Sequence, residues 1–278
     1  MDQCGRYRQI RLCKMSEKLL VLLVGQSNMA GRGYAGPDDL IPLPRVEYIR
    51  PDFKWVPAIE PITKDRSFIG TFDADGKKIV SSDPFETVLP NVRQKVCGVG
   101  LGRTFGKLLA KDNPDRTVGL IPAAVGGTGI AAWLPGGVDD WDGTNFPYDF
   151  AIQKAKEAQK NGKIVAILWH QGETDAAKQT PDYKQKLKTV VENFRRDLGD
   201  DTIPFFAGYL ASFYNPDIMD HAAIVDDAIT ELTEEIPGFY SVETKDLNHR
   251  GDNLHFDTES LHTLGERYYS VYEKAVKG

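Results

Sequence analysis

Five short runs of apolar and β-branched residues, at 19–24, 118–122, 164–169, 204–210 and 239–242, alternate along the chain with longer segments of a different rhythm. Those segments, 103–111, 150–160, 183–198, 222–236 and 261–275, carry apolar residues every three or four positions; Val190, Val191, Phe194 and Leu198 mark one such face. The alternation constrains the fold strongly, because a strand can return parallel to its predecessor only through a long crossover, and a helix is the compact crossover. The expected class is α/β: a three-layer α/β/α sandwich around a five-stranded, mostly parallel, doubly wound sheet. Right-handed crossovers then place helices on opposite faces wherever the strand order reverses, and ligands collect at the carboxyl ends of the strands. With 278 residues, 41% hydrophobic and 27% charged, and no repeat, low-complexity tract or linker, the expected organisation is one domain over 18–278 behind an N-terminal extension, 1–17.

Residues 31–98 interrupt this rhythm, being rich in proline, charge and isolated aromatics such as Tyr48, Phe53, Trp55, Phe68 and Phe85. A structureless loop of that length is improbable inside a compact domain, so short hairpins or turns packed on the body, forming one wall of a cleft, are expected there. Trp55, Trp133 and Trp141 lie in loop-like sequence and are candidate platforms for a sugar ring.

A net charge of −6 argues against nucleic acid or an anionic membrane as partner, since both require concentrated positive charge. Cys4, Cys13 and Cys97 form an odd set without metal-like or redox spacing, so free thiols are expected rather than a disulfide framework. The first fourteen residues are basic and polar without the apolar core of a secretory signal, and 19–24 is too short to span a bilayer. As written, the chain is expected to be cytoplasmic; an altered start would leave room for export.

The segment Gly25-Gln26-Ser27-Asn28-Met29 follows the run 19–24 without a spacer. Taken alone, Ser27 reads as a helix cap. At the carboxyl end of a central strand, however, its hydroxyl is exposed and backbone N–H groups stand ready for a developing negative charge, which suits a nucleophile. Gly126-Gly127, His170-Gln171-Gly172-Glu173 and Asp252-Asn253-Leu254-His255 sit at or just after strand-like stretches and strengthen that reading. A serine hydroxyl needs an imidazole to take its proton and a carboxylate to hold the imidazole. Of five histidines, His170 ends a buried strand, His221 and His262 lie in helical or helix-starting sequence, and His249 and His255 share the late loop. His255 is preferred because Asp252 precedes it by three residues, so one turn can present both groups. For the oxyanion, the backbone N–H groups of Ser27 and Gly127 and the Gln171 side-chain amide are the candidate donors. Glu173 either stiffens the site or replaces Asp252 as the acid behind His255.

These blocks, Gly25-Gln26-Ser27-Asn28-Met29, Gly126-Gly127-Thr128, His170-Gln171-Gly172-Glu173 and Asp252-x-x-His255, resemble in their order the SGNH-type hydrolases, and within them the sixth carbohydrate esterase family and its sialate O-acetylesterase-like relatives. The resemblance runs from about residue 18 to the last helical segment. It implies a flavodoxin-like sandwich and a cofactor-free, metal-free acetylesterase that removes O-acetyl groups from xylan or related sugars through an acetyl-enzyme. It further implies Ser27 as nucleophile, Asp252 and His255 as its partners, and Gly127 with Gln171 as oxyanion donors, Gln171 standing where the broader class has asparagine; Glu173 stays open as an alternative acid. The competing expectations are a lipid or antibiotic acetyl hydrolase on the same fold and a catalytically silent carbohydrate-binding protein. No G-x-S-x-G elbow is present, and Gly98-Val99-Gly100-Leu101-Gly102 lacks both a leading strand and a P-loop lysine, which disfavours nucleotide binding.

Overall fold

A computed structural model describes residues 17–63, 71–72, 78–79, 95–139 and 143–277. Cys4, Cys13, Phe68, Phe85 and Trp141, and the N-terminal extension apart from Glu17, lie outside the described residues.

The strands in chain order are β1 (Lys18–Gly25), β2 (Gly33–Tyr34), β3 (Val46–Ile49), β4 (Trp55–Pro57), β5 (Thr71–Phe72), β6 (Lys78–Ile79), β7 (Lys95–Val99), β8 (Val118–Pro122), β9 (Gly162–His170), β10 (Phe205–Gly208) and β11 (Phe239–Val242). The helices are α1 (Ser27–Ala30), α2 (Leu101–Asp112), α3 (Pro147–Gln159), α4 (Glu173–Ala177), α5 (Tyr183–Leu198), α6 (Pro216–Met219), α7 (Ala223–Glu235) and α8 (Thr258–Lys277). All five expected strands and all five expected helices form.

The main sheet runs β11-β10-β9-β1-β8-β3-β4. Its five expected members stand in the doubly wound order 2-1-3-4-5, with β1 central between β8 and β9 and parallel to both. Burial on both faces explains why Leu20–Val24 reads as an unbroken apolar run, each residue at most 1% exposed and contributing about 1.5–3 kcal/mol of burial. α2 and α8 cover one face, and α3, α5 and α7 the other. The switch of faces falls where the chain turns back from β8 to β9, as right-handed crossovers require. Phe105 of α2 meets Tyr269 and Tyr272 of α8 edge-on, at 5.6 and 5.5 Å between ring centres.

The strand count is corrected from five to seven. β3 adds parallel to β8, and β4 pairs antiparallel with β3 at the edge. Both escaped the sequence reading because they are short: the hydrophilic Glu47 interrupts β3, and β4 ends in Pro57, which only an edge strand tolerates. Residues 31–98 thus supply sheet edge as well as the expected hairpins; β2, β5, β6 and β7 form a small sheet in the order β2-β7-β5-β6. A second correction concerns Gly98–Gly102, whose first two residues close a strand, β7. The N-terminus of α2 is nevertheless closed to phosphate, because the buried Glu60 carboxylate accepts from Gly100 N at 3.3 Å.

Candidate active site

β1 ends by running against β9. Gly25 pairs with His170 at φ +131°, and any Cβ there would lie 2.1 Å from the His170 carbonyl oxygen, so only glycine fits. Gln26 then donates its N–H to the same oxygen at 2.9 Å, and the single turn α1 begins at Ser27. The loop between β11 and α8 crosses above this point. It is pinned as a tight hairpin by the bridge His249–Phe256 and by Arg250 N donating to His255 O at 2.9 Å.

Across 228 positions of sequence, His255 Nε2 lies 3.1 Å from Ser27 Oγ. Behind the ring, Nδ1 lies 2.8 Å from Asp252 Oδ2, and the other carboxylate oxygen, Oδ1, accepts the His255 N–H at 2.8 Å and the Leu254 N–H at 3.1 Å. Arg250 Nε donates to Asp252 Oδ2 at 2.8 Å. Burial alone would raise the Asp252 pKa, but these hydrogen bonds from His255 and Arg250 hold it well below the usual carboxylate range. Burial lowers the His255 pKa, outweighing the opposing effect of Asp252, and Arg250 and Arg32 add to the lowering. The ring is therefore neutral near pH 7, with Nε2 able to take a proton from the serine.

The cleft at this end of the sheet has a volume of about 640 Å³, and Gln26, Ser27, Gly127, Glu173, Arg250 and His255 are among its lining residues. Gly127 sits at φ +75°, a left-handed conformation that favours glycine. Neither its N–H nor that of Ser27 is bonded to another group among the described residues.

Gln171 is not where the sequence put it. Fully buried and absent from the cleft lining, it gives its amide hydrogens to Thr128 O at 3.0 Å and Asp175 Oδ2 at 2.5 Å, while Tyr183 Oη lies 3.1 Å from its Oε1. Its donors are engaged inside the protein, so the expected oxyanion contact is withdrawn. Gln26, the residue before the serine, lines the cleft instead. Its Oε1 faces three donors, Gln171 Nε2 at 3.3 Å, Gly172 N at 3.4 Å and Thr174 N at 3.5 Å. The amide orientation is thereby set, and Nε2, bonded to no described residue, is left toward the cleft beside Ser27.

Glu173 is likewise separated from the imidazole. Its Oε1 accepts from Asn28 Nδ2 at 2.7 Å and Tyr214 Oη at 3.2 Å, and burial raises its pKa. The position behind His255 belongs to Asp252. His170 is packed and buried as expected, its Nδ1 3.3 Å from Tyr268 Oη. His262 pairs with Asp39 Oδ1 at 2.9 Å, and His249 Nδ1 accepts from Gly251 N and Asn253 N, shaping the loop. Trp133 is wholly buried and donates to Thr128 Oγ1, while Trp55 in edge strand β4 bonds Asn161; neither lines the cleft, so both lose the proposed sugar contact. Of the described part of 31–98, only Arg32 reaches the cleft. Among the described residues, no cluster of His, Cys, Asp or Glu could hold a metal ion, and no helix is long and apolar enough to cross a membrane. Cys97 is a free, buried thiol.

Strand order, layering and the segments gathered at the carboxyl edge define an SGNH-like α/β esterase fold. The family model for carbohydrate esterases described as sialic acid-specific acetylesterases matches residues 17–274, and the chain belongs to that family of carbohydrate acetylesterases, which are carboxylic ester hydrolases. It is similar to a probable carbohydrate esterase, At4g34215, of Arabidopsis thaliana, 27% identical over 259 residues that cover 91% of this chain and 89% of the plant protein. The crystal structure of that plant protein superposes with a TM-score of 0.69, at 25% identity and covering 93% of this chain and 98% of the other. NanS, at 16% identity, TM-score 0.65 and coverage of 94% and 98%, shares the fold. So does XAC1771, a carbohydrate acetylesterase from Xanthomonas citri, at 17% identity, TM-score 0.62 and coverage of 94% of this chain and 57% of that one.

Proposed function

We propose that the protein is a serine esterase that removes O-acetyl groups from carbohydrates through an acetyl-enzyme. The observation that carries this is the continuous series Ser27 Oγ, His255 Nε2, His255 Nδ1 and Asp252 Oδ2, with gaps of 3.1 and 2.8 Å. Neutral His255 accepts the Ser27 proton as Oγ attacks the acetyl carbonyl, and Asp252 stabilises the imidazolium that forms. Negative charge develops on the carbonyl oxygen within reach of the Ser27 and Gly127 N–H groups and Gln26 Nε2. His255 returns the proton to the departing sugar oxygen; the ring then activates water, which releases acetate and restores Ser27.

The matched family model, described as sialic acid-specific acetylesterases, supports an O-acetyl sialic acid as substrate ahead of acetylxylan. The test is acetate release from acetylated sialic acid, acetylated xylan and a short acyl lipid compared side by side, together with a small aryl acetate, using wild type and Ser27→Ala. Metal-independent turnover lost in Ser27→Ala is expected, with sialate the best substrate. Full activity in Ser27→Ala refutes the mechanism, and a wild type that binds sugar without releasing acetate identifies a silent binding protein.

A further inference from the structure

We infer that Asn28 is a positioning residue that fixes the distance between nucleophile and base by gripping the backbone on both sides of His255. The inference rests on the serine-esterase reading above. Asn28 is fully buried and touches no substrate space; it is not among the residues of the cleft wall. Its Oδ1 accepts the Phe256 N–H at 3.2 Å, and its Nδ2 donates to the Leu254 carbonyl at 3.1 Å. One side chain therefore binds the residue before the imidazole and the residue after it.

The same side chain is anchored from below. Nδ2 lies 2.7 Å from Glu173 Oε1 and 3.1 Å from Tyr214 Oη, and the tyrosine hydroxyl itself donates to that carboxyl oxygen at 3.2 Å. An acceptor cluster on one side and a backbone N–H on the other settle which end of the amide is nitrogen. Glu173 and Tyr214 thus hold Asn28 in the rotamer that grips the loop.

Within the loop, Asp252 bonded to the N–H groups of Leu254 and His255, and Arg250 N bonded to His255 O, determine the shape of the turn. They do not determine how far that turn stands from α1. The rim is tied elsewhere, by Arg250 Nη1 to Arg32 O at 2.9 Å and by Asn215 N to Asn253 O at 3.2 Å. Beside the His255–Ser27 contact itself, the hydrogen bonds that tie the backbone flanking His255 to the nucleophile's turn, among the described residues, are those of Asn28. Ser27 and Asn28 are consecutive residues of one helical turn, so whatever locates the Asn28 side chain against the loop also locates the serine hydroxyl against Nε2.

The test measures kcat and KM on a small aryl acetate for wild type, Asn28→Ala, His255→Ala and the double variant. Misplacing a reacting pair by about 1 Å costs about a hundredfold, so Asn28→Ala is expected to lower kcat about 10- to 100-fold with KM nearly unchanged. In the His255→Ala background the same substitution is expected to cost less than about twofold, because the group it positions is gone. Equal losses in the two backgrounds, or an unchanged kcat in Asn28→Ala alone, overturn the inference. Should Asn28→Ala melt far below wild type, the near-isosteric Asn28→Leu carries the same comparison, filling the volume while making neither bond to the loop. If His255→Ala or Ser27→Ala retains the wild-type rate, it is the serine-esterase reading that falls, independently of Asn28.

Discussion

Replacing Gln26 by leucine removes one hydrogen-bond donor from the cleft while keeping nearly the same length of side chain. On the proposed mechanism the acetyl oxygen is met by the N–H groups of Ser27 and Gly127 and by the Gln26 amide, whose oxygen is held by Gln171, Gly172 and Thr174 at 3.3, 3.4 and 3.5 Å. Loss of one such donor typically costs about 10²–10³ in kcat, or about 2.7–4 kcal/mol of transition-state stabilisation. The contacts to Gln26 Oε1 are long, so little stability is lost with them. The contrasting variant is Gln171→Leu, which strands the Thr128 carbonyl at a cost of about 1–3 kcal/mol and takes one of its donors from Asp175, whose Oδ2 keeps the Ile130 N–H at 2.8 Å; the loss is read as a drop of several degrees in melting temperature. Initial rates on an aryl acetate and thermal melts of both variants separate the two roles. Gln26→Leu is expected to be stable and slow, and Gln171→Leu unstable with the smaller loss of kcat in its folded fraction. A stable Gln171→Leu that loses two to three orders of magnitude, beside a nearly normal Gln26→Leu, would return the oxyanion contact to Gln171 and refute the geometry argued for Gln26.

Three further outcomes are expected. Because burial lowers the His255 pKa, the acid limb of kcat/KM against pH falls below the ordinary histidine value of about 6.5, and a limb above that value contradicts the site's electrostatics. Asp252→Asn, which cannot hold the imidazolium, is expected to lower kcat about 10⁴-fold, far more than Glu173→Gln; the reverse ranking would make Glu173 the acid after all. Lys154, buried with its ammonium 2.6 Å from Pro122 O, has its pKa pushed down to about 7 by burial. The unfolded chain then binds the proton more tightly, so this group makes stability rise from about pH 7 toward its unfolded value near 10.5. Denaturant titrations across that range should show the rise in wild type and its loss in Lys154→Met; parallel profiles would contradict it.

The layered fold was legible because the strands that carry it are buried on both faces, so Leu20–Val24 or the run at 164–169 can be recognised from composition alone. Edge strands give no such signal: with Glu47 inside β3 and Pro57 closing β4, their sequence is that of a loop. In the site, the spacing of Asp252 and His255 is local, and a single turn delivers both, which is why that pair could be read directly. The burial of Gln171 was not legible for a different reason. The amides of Gln26 and Gln171 both follow buried strands, and which one faces solvent depends on Asp175, Thr128 and Tyr183, partners that no local pattern connects to Gln171. The position of Gln26 directly before the serine was the available signal. Asn28, Arg250 and Tyr214 act through contacts spanning up to 228 positions, beyond any periodicity.

The Ser27 hydroxyl precedes the His255 imidazole by 228 positions of sequence. On the serine-esterase proposal, a chain that lacks the late loop carries the hydroxyl with no base to activate it and is inert toward acetyl esters. Appearance of esterase turnover then times the seating of the loop ahead of α8 against α1, and a chromogenic acetate becomes a clock for that event in refolding experiments.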